Sequence, residues 1–111
     1  MARVDSTIEL LDGKTLGYST FGNPDGVPLL YFHGGISSRL DIEFADQESR
    51  QLNIRLIAPD RQGIGLSDRL KGRTLTHWTE TVHQLITALD LNKPAILGWS
   101  LGGPYALACA A

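Results

Sequence analysis

Residues 6 to 21, STIELLDGKTLGYSTF, alternate in polarity: Ile8 and Leu10 are spaced by Thr7 and Glu9, and Leu16, Tyr18 and Thr20 resume the period. A period of two on either side of Asp12-Gly13, a two-residue turn dipeptide, predicts a β-hairpin. GNPDG (22–26) is a loop by composition. Three later segments, VPLLYFH (27–33), IRLIA (54–58) and PAILGW (94–99), are short apolar runs without alternation, as expected of strands buried on both faces. Helical spacing appears between them. A helix is expected from Ser38 as N-cap, with Asp41 and Glu43 favourable to its dipole and with Leu40 and Phe44 on its inner face. A second is marked by Trp78, Val82, Leu85, Ile86 and Leu89 on one face, and Asn92-Lys93-Pro94 stops it. A third opens within LGGPYALACAA.

A hairpin followed by strands alternating with helices implies an α/β fold, a parallel sheet covered by helices on both faces. Ligands in such sheets sit beyond the carboxyl ends of the strands. The three glycine-bearing loops, HGGISS, DRQGIGLSD (the start of a longer loop, 60–73) and GWSLGG, all follow strand ends on that edge.

Composition narrows the possibilities. The chain of 111 residues is 42% hydrophobic and 20% charged, enough for one domain with a real core. A net charge of -2 without a basic stripe argues against nucleic acid as a partner. The apolar runs are too short to span a membrane, and MARVDSTIEL has no apolar signal region, so a cytoplasmic location is expected. Cys109 is the only cysteine, which excludes an internal disulfide or a cysteine-pair zinc site. It reads as a small packing residue.

The chemistry concentrates at Gly98-Trp99-Ser100-Leu101-Gly102, a G-x-S-x-G between an expected strand and an expected helix. A turn that sharp strains the serine backbone and exposes its hydroxyl, and side chains two residues before or after would collide. The helix start directs free N–H groups, Leu101's among them, toward developing negative charge. A dinucleotide fingerprint fits less well: Ser replaces the middle glycine, and the acidic residue needed about 20 positions on is absent.

With these motifs in place, the sequence resembles the α/β-hydrolase family along its length. The leading hairpin, HGG after the third strand, DRQGIGLSD after the fourth and GWSLGG after the fifth occur in the family's order. The resemblance implies that Ser100 is the nucleophile and that Gly35 and Leu101 supply the oxyanion-hole N–H groups. His33 then shapes the HGG loop and is not the base, while the DRQGIGLSD loop borders the pocket and supports the elbow. The implied reaction is acyl transfer on a small ester, thioester, lactone or amide, without metal or organic cofactor. HGG with DRQGIGLSD is somewhat similar to the prolyl iminopeptidase branch, although Ile36-Ser37 stand where that branch has Pro-Gly. Ser100 in place of Asp argues against the dehalogenase and epoxide hydrolase branches, and cofactor-free haloperoxidases share the serine.

The family's triad runs Ser, then acid, then His. The eleven residues after Ser100 contain neither. Residues 1–111 are therefore expected to be the N-terminal portion of a single, incomplete α/β-hydrolase domain with little turnover alone, its last strand exposed along one edge. The rival reading is a non-catalytic binding or interaction protein that keeps the fold. His77 and His83, on or near the second helix, read as solvated surface residues, Trp78 as core, and Asp60, Arg61, Ser67 and Asp68 as loop-stabilising. Trp99 either lines an acyl pocket or packs under the elbow.

Overall fold

In a computed structural model, which describes residues 3–69 and 74–110, the leading alternation folds as β1 (Val4–Glu9) antiparallel to β2 (Thr15–Gly22). The connection differs from the expected two-residue turn. Leu10 N–H donates to Lys14 O at 2.8 Å, Gly13 N–H donates to Leu10 O at 2.9 Å, and Gly13 takes φ +83°. That is a three-residue loop, Leu11 to Gly13, with glycine at its left-handed position. The last part of the expected glycine-rich loop, residues 70–73, lies outside the described residues.

The remaining strands are β3 (Val27–Phe32), β4 (Ile54–Pro59) and β5 (Ala95–Gly98), in a sheet of order β1-β2-β4-β3-β5. As expected, β3 is parallel to both β4 and β5, while β2 joins β4 antiparallel, Tyr18 opposite Pro59. After β3 the chain passes through a 3₁₀ segment (Arg39–Ala45) and α1 (Asp46–Gln51) to β4 on one side. After β4 it passes through α2 (Leu75–Ala88) and crosses to β5 on the other side of β3. Right-handed crossovers running in opposite directions put their helices on opposite faces. They also make the end of β3, beside β5, the point where strand order reverses, the place where such sheets bind ligands.

Period two sorts the strand residues between two cores. Leu16, Tyr18, Leu30, Phe32 and Ile57 pack against Trp78, Val82 and Leu85 of α2 and against Tyr105, Ala106 and Cys109 of α3 (Gly102–Ala110). Trp78, fully buried, stands edge-on to Phe32 and Tyr105, with ring centroids 5.4 and 6.1 Å away. Phe21, Tyr31, Leu56 and Ala58 face the other way, against Ile42. The α2 start is capped reciprocally: Thr74 Oγ1 accepts the His77 N–H and His77 Nδ1 accepts the Thr74 N–H, both at 3.2 Å. It ends at Ala88, with Asp90 at φ +53°, before Asn92-Lys93-Pro94 is reached.

Two expectations are corrected. Ser38 does cap the segment after HGGISS, but Phe44 is 80% exposed and the buried positions are Arg39 and Ile42. The expected pairing of Leu40 with Phe44 assumed a 3.6-residue period, whereas a 3₁₀ turn repeats every three residues and carries 39 and 42 inward. β5 is an edge strand, as expected, but it is not buried on both faces: Ala95 and Leu97 are exposed, while Ile96 packs on the core. Among the described residues no helix is long and apolar enough to cross a membrane.

Candidate active site

Ser100 is exposed and has φ +53°, in the left-handed region that non-glycine residues occupy only under constraint. The constraint is crowding between the end of β5 and the start of α3. A Cβ on Gly98 would lie 2.6 Å from Gly102 O, and one on Gly102 would lie 2.2 Å from Phe32 O and 2.8 Å from His33 O. Both glycines are thus required for space, and what they make room for is backbone rather than each other's side chains. Gly103 differs, since a Cβ there would meet nothing within 4 Å. Trp99 N–H donates to Phe32 O at 3.1 Å, tying the elbow to β3.

The HGG loop lies against this elbow. A Cβ on Gly34 would be 3.8 Å from Ser100 Cβ, and one on Gly35 would be 2.8 Å from Leu101 Cδ2. The fold therefore brings Ser100, Gly35 and Leu101, which the family resemblance assigns to one site, into one place. Among the described residues neither the Gly35 nor the Leu101 N–H donates to a protein acceptor.

His33, fully buried, is held in one tautomer. Its Nε2 accepts the Arg61 backbone N–H at 3.2 Å, so the ring proton is on Nδ1, which donates to Gly34 O at 2.7 Å. Burial lowers its pKa below the usual 6.5 and favours the neutral ring. A histidine with both nitrogens committed is a structural part of the loop, in keeping with what the family resemblance implies. Arg61, 2% exposed, donates from Nη2 to Gly34 O at 3.0 Å, and its Cζ lies 4.4 Å from the centre of the Tyr105 ring.

The loop after β4 is built on Asp60, which is fully buried. Its carboxylate accepts the Arg39 N–H (2.8 Å), Arg39 Nη1 (2.9 Å) and the Leu66 N–H (2.9 Å). Ser67 Oγ donates to Asp60 O at 2.7 Å and accepts the Gly17 N–H at 2.9 Å, and Asp68 accepts the Thr15 N–H at 2.8 Å. These bonds support the loop-stabilising reading of Asp60, Ser67 and Asp68. Arg39 was missed. It also donates from Nε to Ser19 Oγ at 2.7 Å, and Ser19 Oγ donates to Asp5, lowering the Asp5 pKa. No local pattern announces a buried arginine whose partners are 20 and 21 residues away.

A cavity of about 530 Å³ lies between the HGGISS loop, the 3₁₀ segment and β5, lined by Tyr31, Ser37, Asp41, Ile42, Phe44, Leu97 and Trp99. Trp99, 66% exposed, forms part of its wall, which decides against packing under the elbow. Burial and the Asp41 carboxylate raise the Tyr31 phenol pKa, keeping it protonated. His77 and His83 are exposed on α2, as expected. Cys109 is partly buried against the core, and burial pushes its thiol up to about 11, which suits packing and not reactivity. Among the described residues no group of three or more His, Cys, Asp or Glu side chains could hold a metal ion.

With the serine on its elbow beside the glycine loop, comparison with known proteins is decisive. Residues 27–111 match the family model for the alpha/beta hydrolase fold. The chain belongs to the α/β-hydrolase family. It is 33% identical over 98 residues to a non-heme chloroperoxidase from Streptomyces lividans, a match covering 87% of this chain and 36% of that protein. Identity to 3-oxoadipate enol-lactonase 1 from Acinetobacter baylyi is 28% over 95 residues, covering 86% of this chain and 35% of the lactonase. Among solved structures, an esterase from Exiguobacterium antarcticum superposes with a TM-score of 0.85 at 26% identity, covering 96% of this chain and 39% of the esterase. The chain thus spans little more than a third of the length of these relatives.

Proposed function

We propose that this α/β-hydrolase chain carries the nucleophile and oxyanion hole of a serine hydrolase that cleaves an ester, thioester, lactone or amide. Residues 1–111 are the N-terminal portion of that enzyme's single catalytic domain. The observation that carries the reading is Ser100 itself: exposed, at φ +53°, on a turn crowded enough to require Gly98 and Gly102, and next to Gly34 and Gly35. Strain of that kind persists only when the surroundings over-determine it, and it suits a side chain that must meet substrate.

In this mechanism Ser100 Oγ attacks the substrate carbonyl. The tetrahedral oxyanion is held by the N–H groups of Gly35, in the loop after β3, and of Leu101, just before α3, where the helix dipole favours negative charge; among the described residues neither donates to a protein acceptor. Collapse expels the alcohol, thiol or amine and leaves an acyl-enzyme, which water hydrolyses. The base is supplied from outside residues 1–111, since His33 has both nitrogens engaged, His77 accepts a bond within its own helix cap and His83 is exposed on α2. The lactonase and esterase names of the relatives are consistent with carboxylic ester and lactone bonds.

A fluorophosphonate probe tests the reading on the full-length protein. Labelling that disappears in Ser100→Ala, together with release of p-nitrophenol from p-nitrophenyl acetate, is expected. A folded full-length protein that neither labels nor hydrolyses such esters would be the non-catalytic binding member of the family, and the hydrolase reading would be wrong.

A further inference from the structure

The Gly34 carbonyl and the Gly35 N–H belong to one peptide unit, and no peptide bond among the described residues is cis. In a trans peptide the C=O and N–H point in opposite directions. Two buried donors converge on Gly34 O: His33 Nδ1 at 2.7 Å and Arg61 Nη2 at 3.0 Å. With the carbonyl fixed toward them, the Gly35 N–H is turned to the opposite side of the peptide, away from His33 and Arg61. The unit needs fixing because it joins two glycines, which accept either sign of φ, so a flip of this peptide costs little by itself. After a flip, a carbonyl oxygen would stand where the oxyanion donor should be.

Arg61 also reaches the other donor's element. Its guanidinium lies over the ring of Tyr105 on α3, the helix that follows Leu101, with Cζ 4.4 Å from the ring centre. Its own backbone N–H fixes the His33 tautomer that allows Nδ1 to donate. One side chain and its backbone therefore act on the carbonyl side of one oxyanion peptide, on the histidine sharing that carbonyl, and on the helix carrying the second donor.

We propose that Arg61 is a positioning residue for catalysis, holding the Gly34–Gly35 peptide with its N–H toward the oxyanion and tying that loop to α3 through Tyr105. This rests on the serine hydrolase reading above. The charge itself touches no substrate, and its effect passes through backbone orientation. Lysine, with a compact ammonium and no planar face to stack, is a poor substitute at such a site.

The test uses the full-length protein with p-nitrophenyl acetate as substrate, and the wild type and Ser100→Ala as references. Arg61→Met is expected to lower kcat by about 10- to 100-fold, short of complete loss of one oxyanion donor. KM and the number of sites titrated by a fluorophosphonate should stay near the wild-type values. A trifluoromethyl ketone, whose adduct carries the oxyanion, should bind less tightly by the same factor as kcat/KM falls. Arg61→Lys should restore part of the rate, and Tyr105→Leu, which leaves Arg61 in place, should reduce kcat several-fold; these two carry the measurement if Arg61→Met does not fold. A merely structural role predicts fewer titratable sites, each with wild-type kcat and ketone affinity, and that result overturns the proposal while leaving the hydrolase reading intact. A wild type without Ser100-dependent activity removes both.

Discussion

Replacing Gly102 or Gly103 by alanine adds the same methyl group at adjacent positions of α3, with opposite expected consequences. At Gly102 the new Cβ would sit 2.2 Å from Phe32 O, 2.8 Å from His33 O and 2.9 Å from Phe32 C, all backbone atoms of β3 and the HGG loop. Ordinary contact needs more than 1 Å of additional separation, and no side-chain rotation can supply it, so α3 must lift from the strand. Overpacking of this kind costs about 1–3 kcal/mol and occasionally more, and a clash with fixed backbone belongs at the upper end, about 3 kcal/mol. At Gly103 the methyl meets open space, so only helix propensity acts, favouring alanine by up to about 1 kcal/mol. Urea denaturation of the full-length variants, followed by tryptophan fluorescence, should separate their stabilities by about 3–4 kcal/mol at similar m-values. Gly102→Ala should also lose activity, because the displaced helix start carries Leu101. Variants within about 0.5 kcal/mol of each other would refute the claim that backbone crowding dictates Gly102.

Other consequences follow from buried groups. Asp60→Asn removes the buried carboxylate from Arg39 and leaves only the partly exposed Asp5, 3.4 Å from Nη2, so a loss of about 3 kcal/mol, the lower end for a broken buried pair, is expected in the same urea assay. Ile42→Ala should cost about 2 kcal/mol or more, and Phe44→Ala within about 0.5 kcal/mol of nothing; the reverse order would restore the 3.6-residue spacing over the 3₁₀ one. His33 makes stability depend on pH. Its folded pKa is depressed below 6.5, so the unfolded chain takes up the proton first; the contribution is whole above 6.5 and is lost as pH falls through the folded value. The urea midpoint should therefore drop between about pH 7.5 and 5, and His33→Asn, which cannot titrate, should flatten that slope.

How much was legible in the sequence varies with how local the cause is. The elbow was readable because G-x-S-x-G between a strand and a helix is a local steric pattern, and the crowding of Gly98 against Gly102 is part of it, whereas that of Gly102 comes from Phe32 and His33, far away in sequence. The α2 face from Trp78 to Leu85 was readable for the same reason, since α-helical periodicity matched the helix that formed. The segment after Ser38 was misread because the inner face depends on whether the turn repeats every three or every 3.6 residues, and the buried partners of Arg39 that settle it lie on β2 and in the loop after β4. The apolar run at β5 suggested burial on both faces, but apolarity does not say which face another element will cover, and only the Ile96 side packs on the core.

By itself, the sequence determined the strands and the α2 helix, that three glycine loops follow strand ends, and that a serine stands on a tight strand-to-helix turn. Those are short-range properties, set by side-chain period and by steric limits on a few consecutive residues. Only the tertiary structure decided that β5 docks beside β3, that Gly34 and Gly35 meet Ser100 and Leu101, and that Arg61 reaches both Gly34 O and Tyr105. Those contacts join residues from 27 to more than 60 positions apart, and no periodicity encodes them. They arise when the β3-to-β4 and β4-to-β5 crossovers run in opposite directions and bring distant loops to the same reversal point.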